Sequence, residues 1–151
     1  MFPFKTILCP TDFSDHSLAG LQLANECALK FGSEVILLNI HRPIPHLPTP
    51  RIDTPDIAFD MTAYETQVAE EARKNLATLA NSVFDDSLTP RLEVRMGRPA
   101  KEILRFAEEE KVSAIFIATH GRTGLAHMVF GSVAEMVVRY AKCAVLTLRS
   151  F

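Results

Sequence analysis

The chain has 151 residues, 48 % apolar and 23 % charged, which suits one domain with a buried core and excludes extended disorder. A formal net charge of −2 argues against non-specific nucleic-acid binding, which needs a clear basic excess. There is no apolar run long enough to span a membrane, and Met1-Phe2-Pro3-Phe4-Lys5 has no signal-peptide layout, so a cytoplasmic protein is expected.

Residues 5–9 read as a buried strand that ends in a polar turn, Pro10-Thr11-Asp12-Phe13-Ser14. Leu18, Leu21, Ala24, Ala28 and Phe31 mark one face of a helix, which Gly32 stops. Residues 34–40 form a second strand, apolar without alternation, as in a parallel sheet covered on both faces. Five prolines between residues 41 and 55 make helix or central strand unfavourable there, and a loop of that length suits a cover over a site. Met61, Tyr64, Val68, Ala72, Leu76, Leu79 and Val83 then define a long amphipathic helix whose polar face, with Glu65, Glu70, Glu71, Arg73 and Lys74, reads as solvated.

Residues 91–95 alternate like a strand near the sheet edge. Gly97-Arg98-Pro99 makes a turn, with Pro99 suited to a first helical turn. Ile103, Leu104 and Ala107 give the next helix its buried face, and Glu108-Glu109-Glu110 reads as an exposed charge run. Residues 113–117 form the fourth strand. A helix over 133–140 follows a glycine-rich connection, with Val133, Met136, Val137 and Tyr140 as its apolar face, and residues 143–148 form the fifth strand. Strands alternating with helices predict an α/β fold: one domain over residues 1–151, with a parallel sheet and right-handed crossovers. Ligands of such sheets bind at the carboxyl ends of the strands, where strand order reverses.

The connection between the fourth strand and the last helix carries Gly121, Gly124 and Gly131, with Ser132 at the helix start. Free N–H groups and the positive end of the helix dipole favour an anion there, which suits a phosphate-binding loop. It is not a P-loop, because G-K-[ST] is absent, and its glycines do not fit G-x-G-x-x-G. The plainer alternative is that these glycines serve only turn and cap. Arg122 is the best cationic contact for a phosphate. His120 and His127 lie in or beside the loop, either near a phosphate or simply solvated. Asp12, at the end of the first strand, either meets a ligand or a magnesium ion, or caps the first helix. His41 and His46 make a weak metal signal. Cys9, Cys27 and Cys143 are isolated and read as small buried residues rather than metal or redox groups.

These residues resemble the universal stress protein family. Its nucleotide-binding members carry G-x-x-G, nine residues, then G-[ST]. Gly121, the nine residues that follow it and Gly131-Ser132 match the second half, while Ala118 stands at the first glycine. Thr119-His120-Gly121-Arg122, the opening Ile7-Leu8-Cys9-Pro10-Thr11-Asp12 and Gly97-Arg98-Pro99 are similar to further family features.

The resemblance implies a Rossmann-like sheet ordered 3-2-1-4-5, a homodimer, and ATP or another adenine nucleotide, with or without magnesium, in the cleft. It implies Pro10, Thr11 and Asp12 near base and ribose, and Ile40 along the adenine. Ala118, His120, Gly121, Arg122 and Gly124 then fall in or beside the nucleotide loop, with Gly131, Ser132 and Val133 on the phosphates. The loop contains no Asp or Glu, so binding with little or no hydrolysis is expected. The alternatives are a slow nucleotide hydrolase or adenylyl-transfer enzyme, and a dimeric scaffold without ligand. No catalytic residue and no metal site is assigned. The last strand, with Cys143, Val145 and Thr147, is an apolar edge without proline or charge, and a second copy of the chain is its simplest cover.

Overall fold

The computed structural model describes residues 3–43, 61–119 and 131–149. β1 (Thr6–Pro10) is the centre of the sheet, and its Ile7, Leu8 and Cys9 are wholly buried. α1 (Asp15–Phe31) follows and ends where Gly32 adopts the left-handed conformation, φ 67°, and returns its N–H to the Ala28 carbonyl. β2 (Glu34–His41), α2 (Met61–Val83) and β3 (Arg91–Met96) come next. α3 (Pro99–Glu109) starts with Pro99 in its first turn, and β4 (Ala114–Ala118), α4 (Ser132–Tyr140) and β5 (Ala144–Leu148) complete the described fold. Most of the proline-rich stretch, residues 44–55, lies outside the described residues.

The strands form one parallel sheet in the order β3-β2-β1-β4-β5. The chain moves outward from β1 through β2 to β3, then returns to β4 on the other side of β1. Right-handed crossovers therefore put α1 and α2 on one face and α3 and α4 on the other. Alternation along the strands supplies both cores. Ile7, Cys9, Val35 and Leu37 face α1 and α2, while Leu8, Ile36 and Leu38 face α3 and α4.

Several helix surfaces differ from the periodic reading. In α4, Ala134 and Val137 are buried, whereas Met136 and Tyr140 are 46 % and 56 % exposed. The small Ala134 lets the helix sit close to its neighbours, and that contact outweighs the bulkier stripe. In α3, Ala100 and Phe106 join Ile103 and Ala107 in the core, and Leu104 is only half-buried. The 108–110 run is ion-paired rather than only solvated. Glu110 meets Arg91 at 2.7 Å, Glu109 meets Arg95 at 3.6 Å and Glu108 meets Lys142 at 3.3 Å. Arg91 and Arg95 also lie over the Phe106 ring, so the β3 edge is lined with charge held against α3.

Ala118 ends β4 in register with Leu148 of β5. Its φ is not positive, so the backbone there does not require glycine. Gly97 does require it: φ is 149°, and a Cβ would come within 2.6 Å of Glu102 Cγ.

Candidate functional site

Strand order reverses at β1 and β4, and the carboxyl ends of β1, β2 and β4 open there into a cavity of about 590 Å³. Eight residues singled out in the sequence line it together. Pro10, Thr11 and Asp12 come from the end of β1, and Ile40 from β2. Ala118 comes from β4, and Gly131, Ser132 and Val133 from the start of α4. His120, Gly121, Arg122 and Gly124 lie outside the described residues, as do His46 and His127.

Thr119 and Gly131 bracket the glycine-rich stretch, and the Gly131 N–H donates to the Thr119 carbonyl at 2.6 Å. Gly131 caps α4, and the first intrahelical bond runs from the Glu135 N–H to the Gly131 carbonyl. Helical geometry leaves the N–H groups of Ser132, Val133 and Ala134 without an intrahelical acceptor, at the positive end of the helix dipole. Since the Gly131 N–H is engaged, the donor set offered to an anion begins at Ser132.

The β1–α1 turn is densely bonded. Thr11 N–H donates to the Leu38 carbonyl at 2.9 Å, and its own carbonyl accepts from Asn39 Nδ2 at 2.8 Å. Phe13 N–H donates to Thr11 Oγ1, and the Ser17 hydroxyl donates to the Ser14 carbonyl. The single Ser17 proton is thereby used, so in the 2.9 Å contact between Thr11 Oγ1 and Ser17 Oγ it is Thr11 that donates. Asp12 Oδ1 accepts from both the Ser14 N–H and the Ser14 hydroxyl, which makes Asp12 the residue that turns the chain into α1. The same carboxylate that organises the turn into α1 also lines the cavity.

Several lining residues escaped the sequence reading. Glu71 of α2, which periodicity places on a solvated face, stands at the cavity wall, and so does Asn75. Arg42 borders it from beyond the end of β2, next to His41, which the sequence offers only as a weak metal signal. Desolvation lowers the pKa of His41, favouring the neutral imidazole. Asn39 gave one signal in advance, a polar side chain inside the apolar run from Val35 to Ile40, since a buried amide needs a partner. The three cysteines are free thiols, and burial pushes each pKa up, most strongly for Cys9, so none is activated as a nucleophile. Among the described residues, no group of three or more His, Cys, Asp or Glu side chains could hold a metal ion. No helix among them is long and apolar enough to cross a membrane.

A parallel sheet wound both ways from a central strand, with a cavity at the reversal point, defines a doubly wound α/β protein. Residues 3–149 match the sequence model of the universal stress protein family, and the chain belongs to that family. It is 34 % identical over 146 residues to universal stress protein MJ0531 of Methanocaldococcus jannaschii, covering 97 % of this chain and 82 % of that relative. It superposes with a TM-score of 0.77 and 25 % identity on the solved structure of MJ0577 of the same organism, covering 97 % and 96 % of the two chains. A family protein of Arabidopsis thaliana solved with AMP bound shares the fold with a TM-score of 0.60 and 14 % identity, over 97 % of this chain and 92 % of that one.

Proposed function

We propose that this protein binds an adenine nucleotide, ATP in the first place, in the cavity at the β1–β4 reversal, with little or no hydrolysis. The observation that carries the reading is the start of α4, where the N–H groups of Ser132, Val133 and Ala134 stand at the end of a cavity lined by Asp12 and Ile40. Phosphates then lie on Ser132 and Val133, with Gly131 permitting close approach. Base and ribose lie between Pro10, Thr11, Asp12 and Ile40. His120, Gly121, Arg122 and Gly124 are assigned to the same nucleotide, Arg122 as its cation. AMP in the Arabidopsis relative supports the choice of an adenine nucleotide. A magnesium ion would arrive on the phosphates and meet Asp12 or Glu71, the carboxylates among the described lining residues.

Residues 1–151 act as one unit in this reading, in the cytoplasm, in stress response or its regulation. The functional unit is a homodimer paired through β5. Of the two sheet edges, β3 carries Arg91, Glu93 and Arg95, whereas β5 carries no charge from Ala144 to Leu148 and pairs only with β4 among the described strands.

Isothermal titration of the purified protein with ATP is the direct test. Saturable heat and a thermal shift are expected, and no heat with no shift at millimolar ATP overturns the reading.

A further inference from the structure

We infer that Asn39, a β2 residue at the cavity wall whose amide bonds the β1–α1 turn, is the positioning residue that holds that turn in its nucleotide-competent shape. The inference rests on the nucleotide reading above and deepens it.

Asn39 is only 4 % exposed and is flanked in β2 by Leu37, Leu38 and Ile40. A strand serving stability alone would carry another aliphatic side chain there. The amide brings a cost instead: its Oδ1 is buried and has no hydrogen-bond partner among the described residues. What it secures is one bond, Nδ2 to the Thr11 carbonyl at 2.8 Å. That bond also fixes the amide orientation, because a carbonyl can only accept. Thr11 is then anchored at every polar group. Its N–H goes to Leu38, its carbonyl to Asn39, and its hydroxyl to Ser17 while accepting from Phe13.

A second cost sits two residues further on. Phe13 adopts φ 63°, a conformation that large side chains avoid and that persists only where surrounding bonds enforce it. Asp12 lies between the anchored Thr11 and the strained Phe13, so its carboxylate position follows from both. An amide with an orphaned buried oxygen therefore holds, from β2, the same β1–α1 turn that carries a left-handed phenylalanine.

Replacement of the amide by an isosteric acid separates positioning from packing. In Asn39→Asp the ionised group faces the Thr11 carbonyl with an acceptor and the bond is lost. The protonated group has an O–H to donate, and the bond returns. Burial favours the protonated form, so recovery is expected by about pH 5. Asp12, His41, Arg42 and Glu71 line the same cavity, so wild-type protein is measured at each pH as the reference.

At about pH 7.5 we expect Asn39→Asp to weaken ATP binding about tenfold, the loss matching an unmade buried hydrogen bond. Hydrogen-exchange protection of the Phe13 and Ser14 amides should fall at the same pH, and both readouts should recover toward wild type at the lower pH. Asn39→Leu should show the same two losses without recovery. If Asn39→Leu fails to fold, the pH response of Asn39→Asp decides alone. Variants that keep wild-type loop protection, or that lose protection and bind ATP as wild type does, overturn the inference while leaving the nucleotide reading intact. Wild-type protein that gives no heat with ATP overturns that reading and this inference with it.

Discussion

Gly97 and His41 are joined by a 2.8 Å bond from the glycine N–H to the histidine carbonyl, which ties the β3–α3 turn to the end of β2 beside the cavity. Gly97 combines a φ of 149° with a side-chain carbon of Glu102 at 2.6 Å from any added Cβ. Gly97→Ala is therefore expected to destabilise the fold by about 1–3 kcal/mol through backbone strain and displacement of Glu102. Urea unfolding measures this, and a change within about 0.5 kcal/mol contradicts it. His41 gives a pH dependence of definite sign. Desolvation lowers its folded pKa below the ordinary 6.5, so the unfolded chain binds more protons as pH falls past that value. Its stabilising contribution is full above pH 6.5 and is lost as pH falls through the folded pKa. His41→Gln should flatten the rise of stability between about pH 5 and 7, read by denaturant midpoints at each pH. An unchanged slope argues that the imidazole titrates freely.

At the scale of the element, α4 matters more for its first turn than for its length. In the proposed nucleotide reading Ser132, Val133 and Ala134 supply the donors and Gly131 the approach, and the bond from Gly131 to Thr119 brings the helix start against β4. Gly131→Val keeps the N–H but adds a branched side chain at the cavity wall. ATP affinity is expected to fall at least about tenfold, equivalent to about 1.4 kcal/mol, with a smaller effect on thermal stability measured without ligand. Equal affinity for wild type and variant in the same titration removes phosphate from the helix start. The exposed Met136 and Tyr140 belong to another role of α4, as apolar surface on the helix that packs beside β5.

At the scale of the molecule, two expectations concern assembly and turnover. An edge strand with unpaired N–H and carbonyl groups and no charge invites a partner, and antiparallel pairing of two β5 strands about a two-fold axis needs no second protein. Light scattering at micromolar concentration should give a mass near twice 16.8 kDa, and Val145→Pro should shift it toward 16.8 kDa by removing a ladder donor. A wild-type mass of 16.8 kDa with and without ATP overturns the pairing. Phosphoryl transfer needs a group that orients water, and the stretch from Ala118 to Ser132 contains no carboxylate. Hydrolysis is expected well below about 1 per second in a multiple-turnover assay with labelled ATP. A faster rate that disappears in Asp12→Ala assigns the protein to the enzymes.

Much of this was legible without coordinates. Strand runs, Gly32 past a helix, Pro99 inside one and the alternation of β and α fix the order of elements, because each is a local consequence of side-chain pattern and backbone freedom. Given that order, the handedness of crossovers and the carboxyl-end rule point to the β1 and β4 termini. The family likeness supplied the order of the strands and the names of eight residues that share one cavity. What periodicity could not supply are contacts between elements. The bond from Asn39 to Thr11 joins residues 28 apart in sequence, and Glu71 meets the cavity only because α2 lies over β2. The rotation of α4 toward Ala134 and the pairing of Glu110 with Arg91 likewise depend on which neighbour stands opposite. A sequence records what each element buries; only packing decides against what, and the polar bonds that shape this cavity are all made across such boundaries or within one strained turn.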